Sequence, residues 1–258
     1  MNYAIEIRGL TKKFHTGSFF RRKQTIALNN VDLQVKSGEL LVLVGQNGAG
    51  KTTLLKILCG LILPTSGEVC INSEEHSEQH SRFRKHIAFV SGEERSFYWR
   101  LTGRQNLDFF GCLSGLNKKT IQERINELTE FLDLNEELNK EFRCFSSGAK
   151  QRLSLARALL HNPSIIFMDE PMRSLDPLAH KKLHTFIKNI LVKKEGKTLF
   201  ITTHNLSEAE ELADRLALID KGQIKECATP LELKTKFNSR PLSELFIQLL
   251  QDNRDGNS

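Results

Sequence analysis

Apolar and polar residues alternate in part over residues 4–7 and 26–35, the period of strands with one buried face. Residues 39–44 follow, with Leu40 to Val44 all apolar between Gly38 and Gly45. So short an apolar run bounded by glycines predicts a central strand covered on both faces. Residues 17–23, between the first two strands, read as an exposed hairpin loop. Residues 68–71 and 86–90 predict further short strands, separated by the polar stretch 72–81. His76 and His80 stand four apart in that stretch, but the intervening residues do not form the His-Glu-x-x-His pattern, so a solvated loop is expected there rather than a metal site. From Gly103 to about Glu141 the spacing becomes helical, with Leu107, Phe110 and Leu113, then Ile121, Ile125, Leu128, Phe131 and Leu132 recurring every three or four residues. After Pro163 strand patterns return at 164–168, 198–202 and 215–219. Strands alternating with helices predict an α/β fold with a mostly parallel sheet, an N-terminal antiparallel part and a helical insert.

Composition narrows this picture. The chain has 258 residues, 39% hydrophobic and 26% charged, which excludes a disordered chain and a disulfide-dependent miniprotein. Its longest strongly apolar stretches, residues 40–44 and 54–63, fall short of the roughly 18 residues that a membrane span needs. Glu6 and Arg8 interrupt the N-terminal apolar residues, so no signal peptide is expected and the chain is placed on the cytosolic side. Five cysteines without a Cys-x-x-Cys pair predict reduced, mostly buried thiols rather than disulfides or a zinc site. The net charge of +6 is mild, and short basic groups such as Lys12-Lys13 and Lys193-Lys194 read as solvated faces, with no direct nucleic-acid contact expected.

Two segments carry chemistry. Directly after the central strand comes Gly45-Gln46-Asn47-Gly48-Ala49-Gly50-Lys51-Thr52, followed by Thr53 and the apolar residues 54–58. This is Gly-x4-Gly-Lys-[Ser/Thr] between a strand and a helix: backbone N–H groups of the loop and helix start can cradle phosphates, Lys51 can reach the β- and γ-phosphates, and the Thr52 hydroxyl can bind magnesium. The second segment is Ile165-Ile-Phe-Met-Asp169-Glu170, an apolar strand delivering two carboxylates at its C-terminal end, where parallel sheets bind ligands. Asp169 suits a magnesium site, mainly through water, and Glu170 suits a general base acting on water.

With these segments in order, the chain resembles the ATPase subunits of ABC transporters over nearly all of residues 4–230. Phe145-Ser146-Ser147-Gly148-Ala149-Lys-Gln-Arg152 is similar to the family signature; Ser146 and Gly148 match its ATP-facing positions, and Ser147 and Ala149 depart from its commonest form. Read by itself, Ser146 is an N-cap for a helix over 149–160. Ser174-Leu175-Asp176 resembles the D-loop that touches the partner subunit, and His204, just after the strand ending near Thr203, resembles the switch histidine that senses the γ-phosphate. Phe14 occupies the position of the aromatic that stacks on adenine. One departure stands out: the family usually has a glutamine after the strand ending at Val90, whereas this chain reads Ser91-Gly92-Glu93-Glu94. The register allows Gly92 or Glu93 at that place; Glu93 can ligate magnesium but lacks an amide donor.

The resemblance implies an ATP- and magnesium-dependent ATPase domain over 1–235, with a helical subdomain at about 93–150 and a short extension at 236–258. It also implies a homodimer or heterodimer in which each ATP is held between the phosphate loop of one subunit and the signature of the other. A separate membrane permease would be the partner, with this chain peripheral on the cytoplasmic face of the membrane and the transport directed outward. Phe97-Tyr98-Trp99 lies where the family docks its permease, though packing into the core would equally explain three adjacent aromatics. The alternative is a soluble ABC ATPase acting on nucleic acid or ribosomes; such proteins usually show two cassettes or a long coiled-coil insertion, neither of which appears here.

Overall fold

The structure, a computed structural model, describes residues 3–16, 23–75, 81–91, 97–173 and 175–236. Expectations for the 17–22 loop, for His76 and His80, for Glu93, for Ser174 and for residues 237–258 lie outside the described residues. The chain forms two compact units, one from residues up to Arg84 together with those from Thr198 onward, the other Lys85–Lys197.

In the first unit, β1 (Tyr3–Thr16) and β2 (Lys23–Lys36) pair antiparallel along their whole length, from Tyr3 opposite Lys36 to Thr16 opposite Lys23. The antiparallel sheet is completed by β4 (Ser66–Ile71) and β5 (Glu74–Glu75), in the order β2-β1-β4-β5. Leu28, Val31, Leu33 and Val35 of β2 are buried, which is the alternation that the sequence shows. The strands run further than that alternation because their far ends are exposed and carry no apolar period to read. The second sheet of this unit centres on β3 (Leu40–Val44), flanked in parallel by β8 (Thr198–Thr203) and β9 (Arg215–Asp220). All five β3 side chains are buried, as a strand covered on both faces must be. An antiparallel strand, β10 (Gln223–Ala228), adds to β9. Its six positions are all half-buried, so no pattern announced it. The helices here are α1 (Lys51–Leu58), α6 (Leu206–Leu212) and α7 (Pro230–Lys236). Buried Glu39 accepts from Arg215 at 3.1 Å and from the Lys36 N–H at 2.6 Å, fixing the entry to β3.

In the second unit, β6 (Ile87–Ser91) and β7 (Ile165–Asp169) pair in parallel, Ile87 opposite Ile165 and Ser91 opposite Asp169. The helices are α2 (Gly103–Leu113), α3 (Lys118–Phe131), α4 (Ser147–Leu159) and α5 (Pro177–Thr185), the last continuing as a π-helical stretch over Phe186–Lys194. Leu107, Ile121, Ile125, Leu128 and Leu132 are buried as their spacing predicts. Leu113, the last residue of α2, is instead exposed, and Phe131 lies partly exposed beneath the Lys194 ammonium. Gly111 lets α2 approach Ile121 of α3, where a Cβ would stand 2.8 Å from the isoleucine side chain. None of the five cysteines is in a disulfide, but of them only Cys59 is buried; Cys112 and Cys144 are exposed. Cys112 lies on the outer side of α2 and Cys144 ends a 3-10 turn, so local geometry places them outside despite their apolar character.

Candidate functional site

The glycine-rich loop begins where β3 ends. Gly45 and Ala49 are buried, while Gln46, Asn47 and Gly48 are exposed at its rim. Gly50 precedes α1 with φ of 109°, a backbone state open to glycine and costly for other residues. A Cβ on Gly50 would also lie 2.6 Å from the Ala27 carbonyl oxygen. Helices α2 to α6 each begin on a residue whose side chain accepts from the first turn: Thr102, Asn117, Ser146, Asp176 and Asn205. α1 begins on Gly50, with no side-chain cap. A helix start capped by glycine turns its first N–H groups and its positive end toward whatever anion approaches. Lys51 is buried, and its ammonium donates to the carbonyls of Gly45 at 2.6 Å and Gln46 at 3.1 Å. The cation is thus folded back over the loop. Thr52 is exposed and Thr53 half-buried on the first turn.

In the second unit, β7 carries four buried apolar residues up to the half-buried Asp169 and Glu170. Glu170 has φ of 47°. Left-handed backbone at a non-glycine residue costs on the order of 1–3 kcal/mol and persists where the surroundings enforce it, commonly at functional sites. Here the Arg173 N–H donates to the Glu170 carbonyl at 3.1 Å and the Arg173 guanidinium lies 3.5 Å from its carboxylate. The turn after β7 therefore brings the guanidinium beside the carboxylate.

Ser146 accepts from the Ala149 N–H at 3.2 Å, so α4 starts at Ser147, two residues earlier than the apolar pattern suggests. Ser146 and Ser147 are exposed and Gly148 is buried. Asp176 caps α5 through the Leu178 and Ala179 N–H groups, both at 3.0 Å. These bonds, that from Ala179 first, hold its carboxyl below the usual carboxylate range. Leu175 is half-buried before it. His204 is exposed directly after β8, followed by Asn205 at the start of α6. Phe14 is 37% exposed near the end of β1, with the Lys12 ammonium 5.1 Å from its ring centre, an accessible face for stacking.

The three adjacent aromatics divide. Phe97 is buried against Phe110 and Phe142, with the Arg157 guanidinium 4.7 Å from its ring centre; burial lowers the Arg157 pKa from its ordinary value. Tyr98 and Trp99 are about half exposed, at 50% and 54%. Neither the core reading nor the surface reading covers all three. Fully buried Asn106 was not anticipated: its amide donates to the carbonyls of Tyr98, Leu101 and Thr102 and accepts from the Tyr98 N–H. Its only trace in the sequence is a polar residue beside the apolar stripe of α2. The Lys150 ammonium, on α4, lies 5.5 Å from the Trp99 ring centre.

A buried parallel strand, a glycine-rich loop and a glycine-capped helix carrying the lysine define a P-loop nucleotide-binding fold. Residues 28–173 match the family model described as ABC transporter, and the chain belongs to that family, as one of its ATPase cassettes. It is 31% identical over 230 residues to the ABC transporter ATP-binding protein NatA of Bacillus subtilis, covering 89% of this chain and 93% of NatA. It is 36% identical over 253 residues to the probable multidrug ABC transporter ATP-binding protein YbhF of Escherichia coli, covering 96% of this chain but only 42% of YbhF. The ATP-binding cassette MJ0796, solved as a dimer in a post-hydrolysis state bound to ADP and Pi, superposes with a TM-score of 0.77 at 27% identity, covering 88% of this chain and 98% of that one.

Proposed function

We propose that this chain binds ATP through residues 45–53, hydrolyses it with Glu170 as general base, and powers export through a separate membrane permease. The observation that carries the reading is the loop itself: Lys51 lies folded over the Gly45 and Gln46 carbonyls at the start of a helix capped only by glycine. The dimeric, ADP- and Pi-bound state of MJ0796 supports both the nucleotide and a two-subunit arrangement, in which residues 146–148 and Leu175-Asp176, with Ser174, face the nucleotide and loop of the partner. Oxygen donors suit magnesium, and the exposed Thr52 hydroxyl and the Asp169 carboxylate are the groups that would hold it. When bound, the ion offsets the negative charge of the phosphates. Glu170 takes the proton of the attacking water. His204 acts at the γ-phosphate and Phe14 stacks on adenine.

Tyr98 and Trp99, each about half exposed, are the permease contact, and the multidrug description of YbhF supports the outward direction of transport. In this reading the membrane-spanning part lies on the permease and this chain is peripheral on the cytoplasmic face; no described helix is long and apolar enough to span a membrane. Two experiments test the two halves of the reading. Glu170→Gln is expected to bind ATP with unchanged affinity while turnover drops about 100- to 10,000-fold; near-normal hydrolysis would assign the base elsewhere. Tyr98→Ala with Trp99→Ala is expected to fold and bind ATP but to lose co-purification with the permease, as interface aromatics commonly contribute about 2 kcal/mol or more. If the double variant aggregates on its own, the pair belongs to the core.

A further inference from the structure

The end of β9 and the turn between β9 and β10 lie against the two ends of the phosphate loop, mostly through backbone, with the Ile219 side chain adding a close contact at Gly45. Asp220 pairs with Gln223 across it, leaving Lys221 and Gly222 at φ of 46° and 76°, the left-handed pair typical of a two-residue hairpin turn. At the first end of the loop, a Cβ on Gly45 would stand 2.6 Å from the Ile219 carbonyl oxygen. At the other end, the Gly222 N–H donates to the Ala49 carbonyl at 2.9 Å, and the Gly222 carbonyl accepts from the Asn29 N–H at 2.8 Å. Gly50 and Gly222 meet the same neighbour: a Cβ on either would lie 2.6 Å from the Ala27 carbonyl oxygen, and one on Gly50 would lie 3.5 Å from the Gly222 Cα. At Gly222 no side chain can swing aside to relieve the contact, because the nearest atoms, the Ala27 carbonyl and the Leu28 Cα, are main-chain atoms of a paired strand.

We propose that Gly222 is a positioning residue for ATP binding: with the Ala27 carbonyl it forms a backbone bracket that holds Ala49 and Gly50 in the phosphate-binding shape. The bond to the Ala49 carbonyl directs that peptide away from the phosphates, and the close packing against Gly50 sets where α1 begins. A loop so held meets its ligand already formed, and the cost of ordering it is met during folding rather than at binding. A side chain on Gly222 must push the turn and the β2 backbone apart, and the loop follows because Ala49 is bonded to the turn. This role presupposes that residues 45–53 hold ATP, as proposed for the chain.

The test compares Gly222→Ala with Gly115→Ala in the full chain. Gly115 has φ of 77° and no atom within 4 Å of where a Cβ would stand, so the two variants carry similar backbone strain and differ in the clash. Calorimetric titration with magnesium and ATP is expected to show Gly115→Ala within about twofold of wild type and Gly222→Ala weakened at least about tenfold. Equal affinities for Gly222→Ala and wild type overturn the bracket. Should Gly222→Ala fail to fold, hydrogen exchange on the wild-type chain decides: ATP is expected to slow exchange of the Gly222 amide and leave the Gly115 amide unchanged. No change at Gly222 overturns the bracket. Lys51→Ala separates the premises. If Lys51→Ala loses ATP binding while Gly222→Ala keeps it, the bracket alone fails; if Lys51→Ala binds ATP like wild type, the phosphate-loop reading fails and the bracket with it.

Discussion

The starts of α1 and α4 both offer backbone N–H groups beside a glycine, yet they are built in opposite ways. At α1 the constraint is internal and tight. Gly45 and Gly50 each have a carbonyl within 2.6 Å of where a Cβ would be, and Lys51 is buried with its ammonium on two loop carbonyls. At α4, a Cβ on Gly148 would find its nearest neighbours at 3.6 Å and 3.8 Å, the Arg152 guanidinium and the Ala179 methyl, which is ordinary contact. Ser146 is exposed and already occupied in capping, and Gly148 lines a cavity of about 690 Å³ with Leu175, Arg152 and Phe186. The first site is shaped by its own chain; the second leaves room at its helix start, as a surface completed by another subunit would. The same motif chemistry is therefore expected to tolerate change differently in the two places.

Lys51→Ala strikes the tight site and carries the largest expected effect. Charge-assisted bonds to phosphate contribute about 1.5–3 kcal/mol, so ATP affinity is expected to fall roughly 10- to 100-fold in calorimetric titration of a folded variant. Unchanged affinity would break the comparison at its first term. Ser146→Arg strikes the loose site. Loss of the cap is expected to destabilise the chain by about 0.5–2 kcal/mol, while ATP binding to the single subunit stays near wild type and the ATP-dependent dimer, followed by light scattering, disappears. A single subunit that no longer binds ATP after Ser146→Arg would put the signature and the loop in one site of one chain. Gly148→Ala is the mildest. With only ordinary contacts around it, its thermal unfolding is expected to stay within about 0.5 kcal/mol of wild type, and a much larger loss would show α4 to be as tightly enclosed as α1.

Much of the candidate site was legible because the chemistry proposed for it is local in sequence. Gly45 to Thr52 follow a five-residue apolar strand, and Asp169-Glu170 end another, so neighbouring residues reveal both strand and ligand-binding end. The paired N-terminal strands and the helical spacing of Ile121, Ile125 and Leu128 were readable for the same reason. β10 was not, because its evenly half-buried positions give no period. Nor was the split among Phe97, Tyr98 and Trp99, since adjacent aromatics look alike until distant Phe110 and Phe142 enclose Phe97.

The sequence by itself determined the order of motifs, the family and the residue types at the phosphate loop, because each is set by short-range spacing and by the fixed needs of a strand, a turn and a helix start. Tertiary structure decided which glycines meet a close backbone neighbour. Gly50 and Gly222 lie far apart along the chain and meet on one carbonyl, that of Ala27, and a close approach between distant backbones leaves no local signal in either segment.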